Sequence, residues 1–281
     1  MAVSLEGGCR VSNMREGVPI EHGTLRVWLQ VGRHTGAQAI SLRIMEFAQG
    51  LSPGLRNESC DEILYVLPTC ERPWDRPWDR AHPARRNAGE REFTDDNSTA
   101  RIFLDGWPLE ISSGTGIYLR PGQTLAVENL NPEPLVLISS QCPDSQTSST
   151  EMADAITAPI SQTPPPPALV RLADRAAQPT ADRWYRVLVD EQLGSTQVTQ
   201  FVGSIPPGRA PDHFHNYEEV LFILRGSGRM WAGLTNTPIA AGSCVYLPQG
   251  QVHCVENTGS DELRLLGVFY PAGSPSVRYD V

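Results

Sequence analysis

Four residues in the last third of the chain have side chains of the kind that hold transition metals. His213, His215 and Glu219 form an H-x-H-x3-E string, and His253 follows 34 positions after the glutamate. Three imidazoles and one carboxylate suit Fe, Mn, Co, Ni or Zn, and an octahedral ion held by four ligands keeps two positions open. Open positions admit a chelating oxygen pair, or a substrate together with dioxygen. In extended backbone the side chains alternate, so positions 213, 215 and 219 share a face if one regular strand runs through them. His253 reaches the same point only if its strand lies beside or opposite the first. The other three histidines, His22, His34 and His82, are isolated and read as surface residues.

The elements that must position these groups come in two copies. The stretch from Gly114 to Asn129 can be laid on Gly242 to Asn257 at a constant offset of 128, with Gly, Tyr-Leu, Gly-Gln and Val-Glu-Asn coinciding without a gap. An upstream pair matches as well: Pro53-Gly54 and then Glu62 to Leu67, against Pro207-Gly208 and then Glu219 to Leu224. Two matched blocks in the same order indicate a duplication. Short segments around 41–48, 62–67, 134–139, 196–203, 219–224 and 263–270 are apolar, β-branched or aromatic and bounded by Gly, Pro or Asn. They read as strands, and many short strands with turn residues between them point to a sandwich or jelly roll.

With the residues set out in this way, the second unit resembles a cupin. His213, His215, Glu219 and Gly226 match the first motif of that family, although Gly208 sits one residue closer to His213 than the family's leading glycine. Gly242, Pro248, Gly250, His253 and Asn257 match the second motif with every spacing kept. The resemblance covers about residues 185–270. Through the repeat, the first unit resembles a degenerate cupin, and the whole chain a bicupin. The implied fold is all-β, two tandem jelly-roll barrels. The expected organisation is an N-terminal arm over 1–25, a degenerate barrel over 26–140, a Pro/Ser/Thr-rich linker over 141–168 and a metal-binding barrel over 169–281.

The resemblance implies one divalent transition metal per chain, bound by His213, His215, Glu219 and His253, with Fe or Mn favoured and Zn, Ni or Co as alternatives. In the first unit His253 corresponds to Leu125, the H-x-H segment is shortened, and Glu62 alone survives from the ligand set. The implied activity is that of a metalloenzyme acting on a small oxygen-bearing substrate, dioxygenase-like first and isomerase, cyclase or decarboxylase second. A non-catalytic module that binds a sugar or metabolite is the rival. Tyr246 and Cys244 share a face of their strand and, with Met230, are the candidates to line the pocket. Trp231, Phe269 and Tyr270 are further candidate walls. Cys254 and Glu218 face away from the ligands by alternation, Glu218 into solvent.

Composition narrows the field further. The formal net charge is −9, which excludes an electrostatic footprint for nucleic acid or anionic lipid. All 23 basic residues are arginine, so a Schiff-base lysine and a P-loop lysine are excluded. The first ten residues hold Glu6 and Arg10 and no apolar stretch, and the six cysteines include no C-x-x-C pair. Both features fit a cytoplasmic protein with reduced thiols. No apolar run approaches the ~20 residues of a membrane span. From Glu62 to Gly114 is 52 positions, against 23 from Glu219 to Gly242, so the first unit carries 29 extra residues within 69–98. This insertion reads as a solvated loop, or as a lid or contact arm using Trp74 and Trp78. A homodimer is the candidate assembly.

Overall fold

A computed structural model of the protein describes residues 1–68, 100–144, 151–277 and 279–280. The 69–98 insertion lies outside the described residues. Every strand pairing is antiparallel, and the strands form two jelly-roll barrels, each built from a larger and a smaller sheet. Strands occur at Leu42–Phe47, Asp61–Val66, Leu135–Cys142, Thr199–Ile205, Glu218–Arg225 and Leu263–Tyr270, close to the ranges expected from sequence.

The repeat extends through the whole architecture. In the first barrel the larger sheet runs Leu169–Arg171, Thr115–Leu119, Asp61–Val66, Leu135–Cys142, Leu42–Phe47, Leu25–Val31, Ile20–His22. Its counterpart in the second barrel runs Arg10–Asn13, Ser243–Leu247, Glu218–Arg225, Leu263–Tyr270, Thr199–Ile205, Arg183–Val189, Gln178–Thr180, with Val3–Ser4 added beyond Arg10–Asn13. The two lists correspond strand for strand. The end strand is exchanged, however: the second barrel takes Arg10–Asn13 from the chain's first residues, and the first barrel takes Leu169–Arg171 from beyond the linker. Each short strand covers a sheet edge that would otherwise expose unpaired N–H and C=O groups. The segment leading to Leu169 runs exposed over the first barrel, held by Ile160 N–H to Asp105 O and by Tyr118 N–H to Ala168 O.

Several strands are buried at nearly every position, which explains why they read as apolar runs without alternation. In Glu218–Arg225, Leu221 and Ile223 fill the second barrel, while Val220, Phe222 and Leu224 face the other barrel. Leu64 and Val66 fill the first barrel, and Ile63 and Tyr65 face outward to meet them. The two larger sheets thus pack face to face over a shared apolar layer.

Polar clasps pin that layer from both sides. Tyr246 Oη donates to Glu218 at 2.5 Å, and the Glu218 carboxylate accepts the backbone N–H groups of Gln38 and Ala39, each at 2.7 Å. In the matching place on the first barrel, Tyr118 Oη donates to Asp61 at 2.8 Å, and Gln197 of the second barrel reaches the same carboxylate at 3.4 Å. Glu218 therefore does turn away from the ligands, but not into solvent. It is 6% exposed, because the space on that side is occupied by the first barrel. The five described cysteines are buried and unpaired. No helix among the described residues is long and apolar enough to cross a membrane.

Candidate metal centre

The four expected ligands come from three places in the second barrel. His213 lies on the two-residue strand His213–Phe214 of the smaller sheet, directly opposite His253 on the neighbouring strand His253–Asn257. His215 sits in the loop that leaves this strand, and Glu219 lies on Glu218–Arg225 of the larger sheet. No single regular strand carries 213, 215 and 219. The chain crosses from one sheet to the other between them, and the convergence is made across the barrel interior.

That convergence is close. One ring nitrogen from each of His213, His215 and His253 lies within 4.8 Å of the other two. Glu219 Oε2 is 3.5 Å from His253 Nε2 and 3.9 Å from His215 Nε2. The outward nitrogen of every ring has its own partner. His213 Nδ1 meets Pro211 O at 3.0 Å, His253 Nδ1 meets Gln251 O at 2.7 Å, and His215 Nδ1 meets Tyr217 Oη at 3.1 Å. A backbone carbonyl accepts only from an N–H, so in His213 and His253 the proton sits on Nδ1 and the lone pair of Nε2 points inward. Tyr217 stacks on His215 at 4.8 Å between ring centroids and donates its own proton toward Ser274 O at 3.3 Å.

The electrostatics are those of a site built for a cation. Glu219 is buried and its Oε2 has no hydrogen-bond partner. Burial raises its pKa from 4.5 to about 8. His253 is lowered to about 3 and His215 to about 4, in each case first by burial and then by the neighbouring His213. Without an ion the site thus avoids charge, at the cost of an unsatisfied carboxyl. Three ring nitrogens within 4.8 Å of one another, with an orphaned carboxyl 3.5 and 3.9 Å from two of them, fit a divalent cation.

A cavity of about 110 Å³ opens onto the four groups. Phe201, Leu221, Val255 and Phe269 give it apolar walls, and Thr180, Arg183, Trp184 and Pro275 form its half-buried side. Of the expected wall residues Phe269 is there. Met230 is fully buried in the barrel core and does not line the cavity. Tyr246 and Cys244 do share a face, as alternation requires, but it is the face packed against the other barrel. Trp231 lies outside the cavity under the Arg209 guanidinium, and Tyr270 packs on the layer between barrels. Cys254 also lies off the cavity, on the side of its strand that meets Arg209. Arg183, Trp184, Tyr185, Phe201 and Tyr217 were not singled out by spacing. Phe201 alone carried a signal, as an alternate apolar position of its strand.

The first barrel shows what becomes of the same place without imidazoles. Register puts Glu62 at the position of Glu219, Arg43 at that of Phe201, Ser139 at that of Gly267 and Gln141 at that of Phe269. Arg43 donates to Glu62 at 2.9 Å and to Ser139 Oγ at 3.1 Å, Ser139 donates to Glu62 at 2.6 Å, and Gln141 donates to it at 2.9 Å. The carboxylate is neutralised and satisfied from within, and Leu125 is fully buried in the apolar core nearby. In the second barrel a Cβ on Gly267 would stand 2.3 Å from the Phe201 ring, so the aromatic wall requires glycine there.

Comparison with known proteins gives a consistent picture. Residues 201–269 match the family described as Cupin domain. The chain is 32% identical over 83 residues to auxin-binding protein 1 of Arabidopsis thaliana, covering 26% of this chain and 42% of that protein. It is 36% identical over 66 residues to an oxalate-binding protein of Thermotoga maritima, covering 23% and 54%. The chain thus spans about half the length of the curated relatives it matches. Among solved structures, a mutant of Bacillus subtilis oxalate decarboxylase superposes with a TM-score of 0.67 at 13% identity, over 94% of this chain and 78% of that one. The E. coli protein Ylba superposes with a TM-score of 0.67 at 12% identity, over 98% and 96%. At such identities the superpositions establish the fold.

Proposed function

We propose, from the premise that this chain belongs to the cupins and folds as two cupin barrels, that its second barrel binds one divalent metal and acts on a small molecule that chelates the metal through oxygen. The observation that carries this reading is the meeting of His213, His215, His253 and the unpartnered Glu219 carboxyl on a single cavity. The residues that would hold the metal are these four. Bound there, it would act as a Lewis acid toward chelated oxygens.

The chain's own residues set the rest of the chemistry. Pro211 O, Gln251 O and Tyr217 hold the three rings by their outer nitrogens, so that the inner nitrogens stay available. Phe201, Leu221, Val255 and Phe269 keep bulk water from the reacting atoms and strengthen the electrostatics there. The size of the cavity limits the substrate. A cavity of ~150 Å³ takes up benzene, so about 110 Å³ suits a molecule smaller than an aromatic ring. That size favours a two- or three-carbon acid over an aromatic substrate. Two proteins similar to this chain are named for binding or decarboxylating oxalate. The favoured turnover is therefore decarboxylation or rearrangement of such an acid, with oxygen-dependent cleavage as the alternative.

A binding module without turnover is the second reading. It is favoured by the lining, where Glu219 is the sole carboxyl among the described residues and Ser204 spends its proton on Glu262 at 2.6 Å. The deciding experiment reconstitutes full-length protein and its His213→Ala variant with Mn(II) or Fe(II). Metal content, CO2 release and oxygen uptake are then followed with oxalate, glyoxylate and pyruvate. About one metal per chain, lost in the variant, with CO2 released and no oxygen consumed, supports the decarboxylase reading. Stoichiometric oxygen uptake returns the site to the dioxygenase class. Saturable binding without product makes it a binding module, and failure to retain any metal overturns the proposal.

A further inference from the structure

We infer that Arg183 is the anion anchor of this cavity, and that the ligand is a short dicarboxylate with one carboxylate toward the metal and the other on the Arg183 guanidinium. The inference rests on the reading of the site as a chelating metal centre and adds the substrate class. Apart from the four expected ligands, Arg183 is the one charged residue among the described residues that lines the cavity.

Its surroundings leave it available. The side chain is 19% exposed, and its Nε faces Asp182 Oδ1 at 3.2 Å without a satisfactory hydrogen bond; that aspartate is 68% exposed. The other arginines nearby have acceptors in the protein. Arg186 donates to Leu172 O, Arg175 to Gln192 and Leu188 O, and Arg264 to Glu262. Arg183 has no such acceptor for its terminal nitrogens among the described residues.

The backbone holds the residue in place. Thr180 and Arg183 pair across a two-residue hairpin turn, and both line the cavity. Ala181 within that turn sits in the left-handed region at φ 54, which a β-carbon disfavours. Beside Arg183, Trp184 is flanked by Arg186 and Arg264, each with its guanidinium carbon 5.4 Å from the ring centroid. A planar fork of donors in an apolar surround is suited to a carboxylate, which it can bind through two parallel hydrogen bonds. Arg183 and the four ligand side chains line the same cavity, whose volume of about 110 Å³ suits a two- or three-carbon dicarboxylate between them.

The test compares malonate with its monoamide, malonamate, by titration calorimetry on full-length Mn(II)-loaded protein and its Arg183→Gln variant. The two probes have nearly the same shape and differ by one charge. Wild type should prefer malonate, and Arg183→Gln should shrink the preference about ten- to a hundred-fold, the worth of a charge-assisted hydrogen bond. Malonamate affinity and bound Mn(II) should be unchanged, which separates loss of an anchor from damage to the metal centre. Arg183→Lys, which keeps the charge and loses the fork, should fall between. An unaltered preference in Arg183→Gln overturns the role of Arg183 while leaving the metal reading intact. Metal-loaded wild type that binds neither probe overturns the dicarboxylate ligand and with it the role of Arg183, while the metal centre stands.

Discussion

Replacing Glu219 by glutamine should make the metal-free protein more stable at alkaline pH, even though the residue is a proposed ligand. Burial raises the Glu219 pKa from 4.5 to about 8, so between those values the folded protein holds a proton that the unfolded chain has released. The contribution of Glu219 to the stability of the metal-free protein therefore falls as pH rises through that window. At ~1.4 kcal/mol per pH unit the full effect is bounded at about 5 kcal/mol. Relaxation around the buried charge should leave about 2–3 kcal/mol of it.

Glutamine does not titrate. Its amide, placed where Oε2 stands 3.5 Å from His253 Nε2, can donate to the inward lone pair of that ring. His215 and His253, lowered from 6.5 to about 4 and about 3, add stability as pH rises toward 6.5, and this contribution is common to both proteins and cancels from their difference. The assay is thermal unfolding of wild type and Glu219→Gln in EDTA, from about pH 5.5 to about pH 8.5. The variant should gain on wild type steadily with pH, ending higher by about 4–6 °C at ~2 °C per kcal/mol. Adding Mn(II) to about 1,000 times Kd should reverse the order, because that adds about 4.1 kcal/mol to the protein that binds it, more than the variant's lead, and nothing to one that does not. A difference that stays flat with pH, or a variant less stable at the alkaline end, would refute the reasoning.

Three further outcomes follow from the geometry. Tyr217→Phe removes the partner of His215 Nδ1 and should weaken metal binding about 10–100-fold by equilibrium dialysis, with the melting temperature of metal-free protein little changed. Arg43→Leu leaves the buried Glu62 uncompensated and should cost about 3–5 kcal/mol in urea unfolding, whereas the double change Arg43→Leu with Glu62→Leu should recover most of it; no recovery would mean the ion pair is not the cause. Deleting residues 1–14 removes Cys9, Val11 and Met14 from buried positions and uncovers the strand Ser243–Leu247, so the truncated protein should aggregate or unfold well below wild type in a thermal scan; an unshifted transition would show that the exchanged strand contributes little.

Much of this was legible in the sequence. The repeat at an offset of 128 places Tyr118 and Tyr246 on equivalent strands, and the structure puts both on the layer between barrels. The motif spacing brought together His213, His215, Glu219 and His253, because turn lengths in a barrel fix which strand ends meet. Alternation also turned Glu218 away from the ligands and put Tyr246 and Cys244 on one face, but that face is the one packed on the other barrel and not the cavity side expected for them. Alternation could not say what lay on the far side, since a second barrel and solvent look alike to a single strand's pattern. The strand exchange was hidden for a different reason. Arg10–Asn13 and Leu169–Arg171 are too short to show a period, and their partners are more than 50 residues away along the chain. Arg183 belongs to no motif, and its place on the cavity follows from a hairpin whose left-handed residue is an alanine rather than a telltale glycine.

The Arg43–Glu62 network gives the duplication an asymmetric outcome. Both halves retain the same interior carboxylate, but in the first its countercharge is tethered to the polypeptide. That cation is delivered with every copy translated and cannot be stripped by a chelator or swapped for a competing ion. The second half leaves the equivalent place to imidazoles and aromatic walls, and so exposes itself to whatever ions its surroundings provide. One half of the chain is therefore complete from synthesis, while the other keeps a buried carboxyl without a partner of its own.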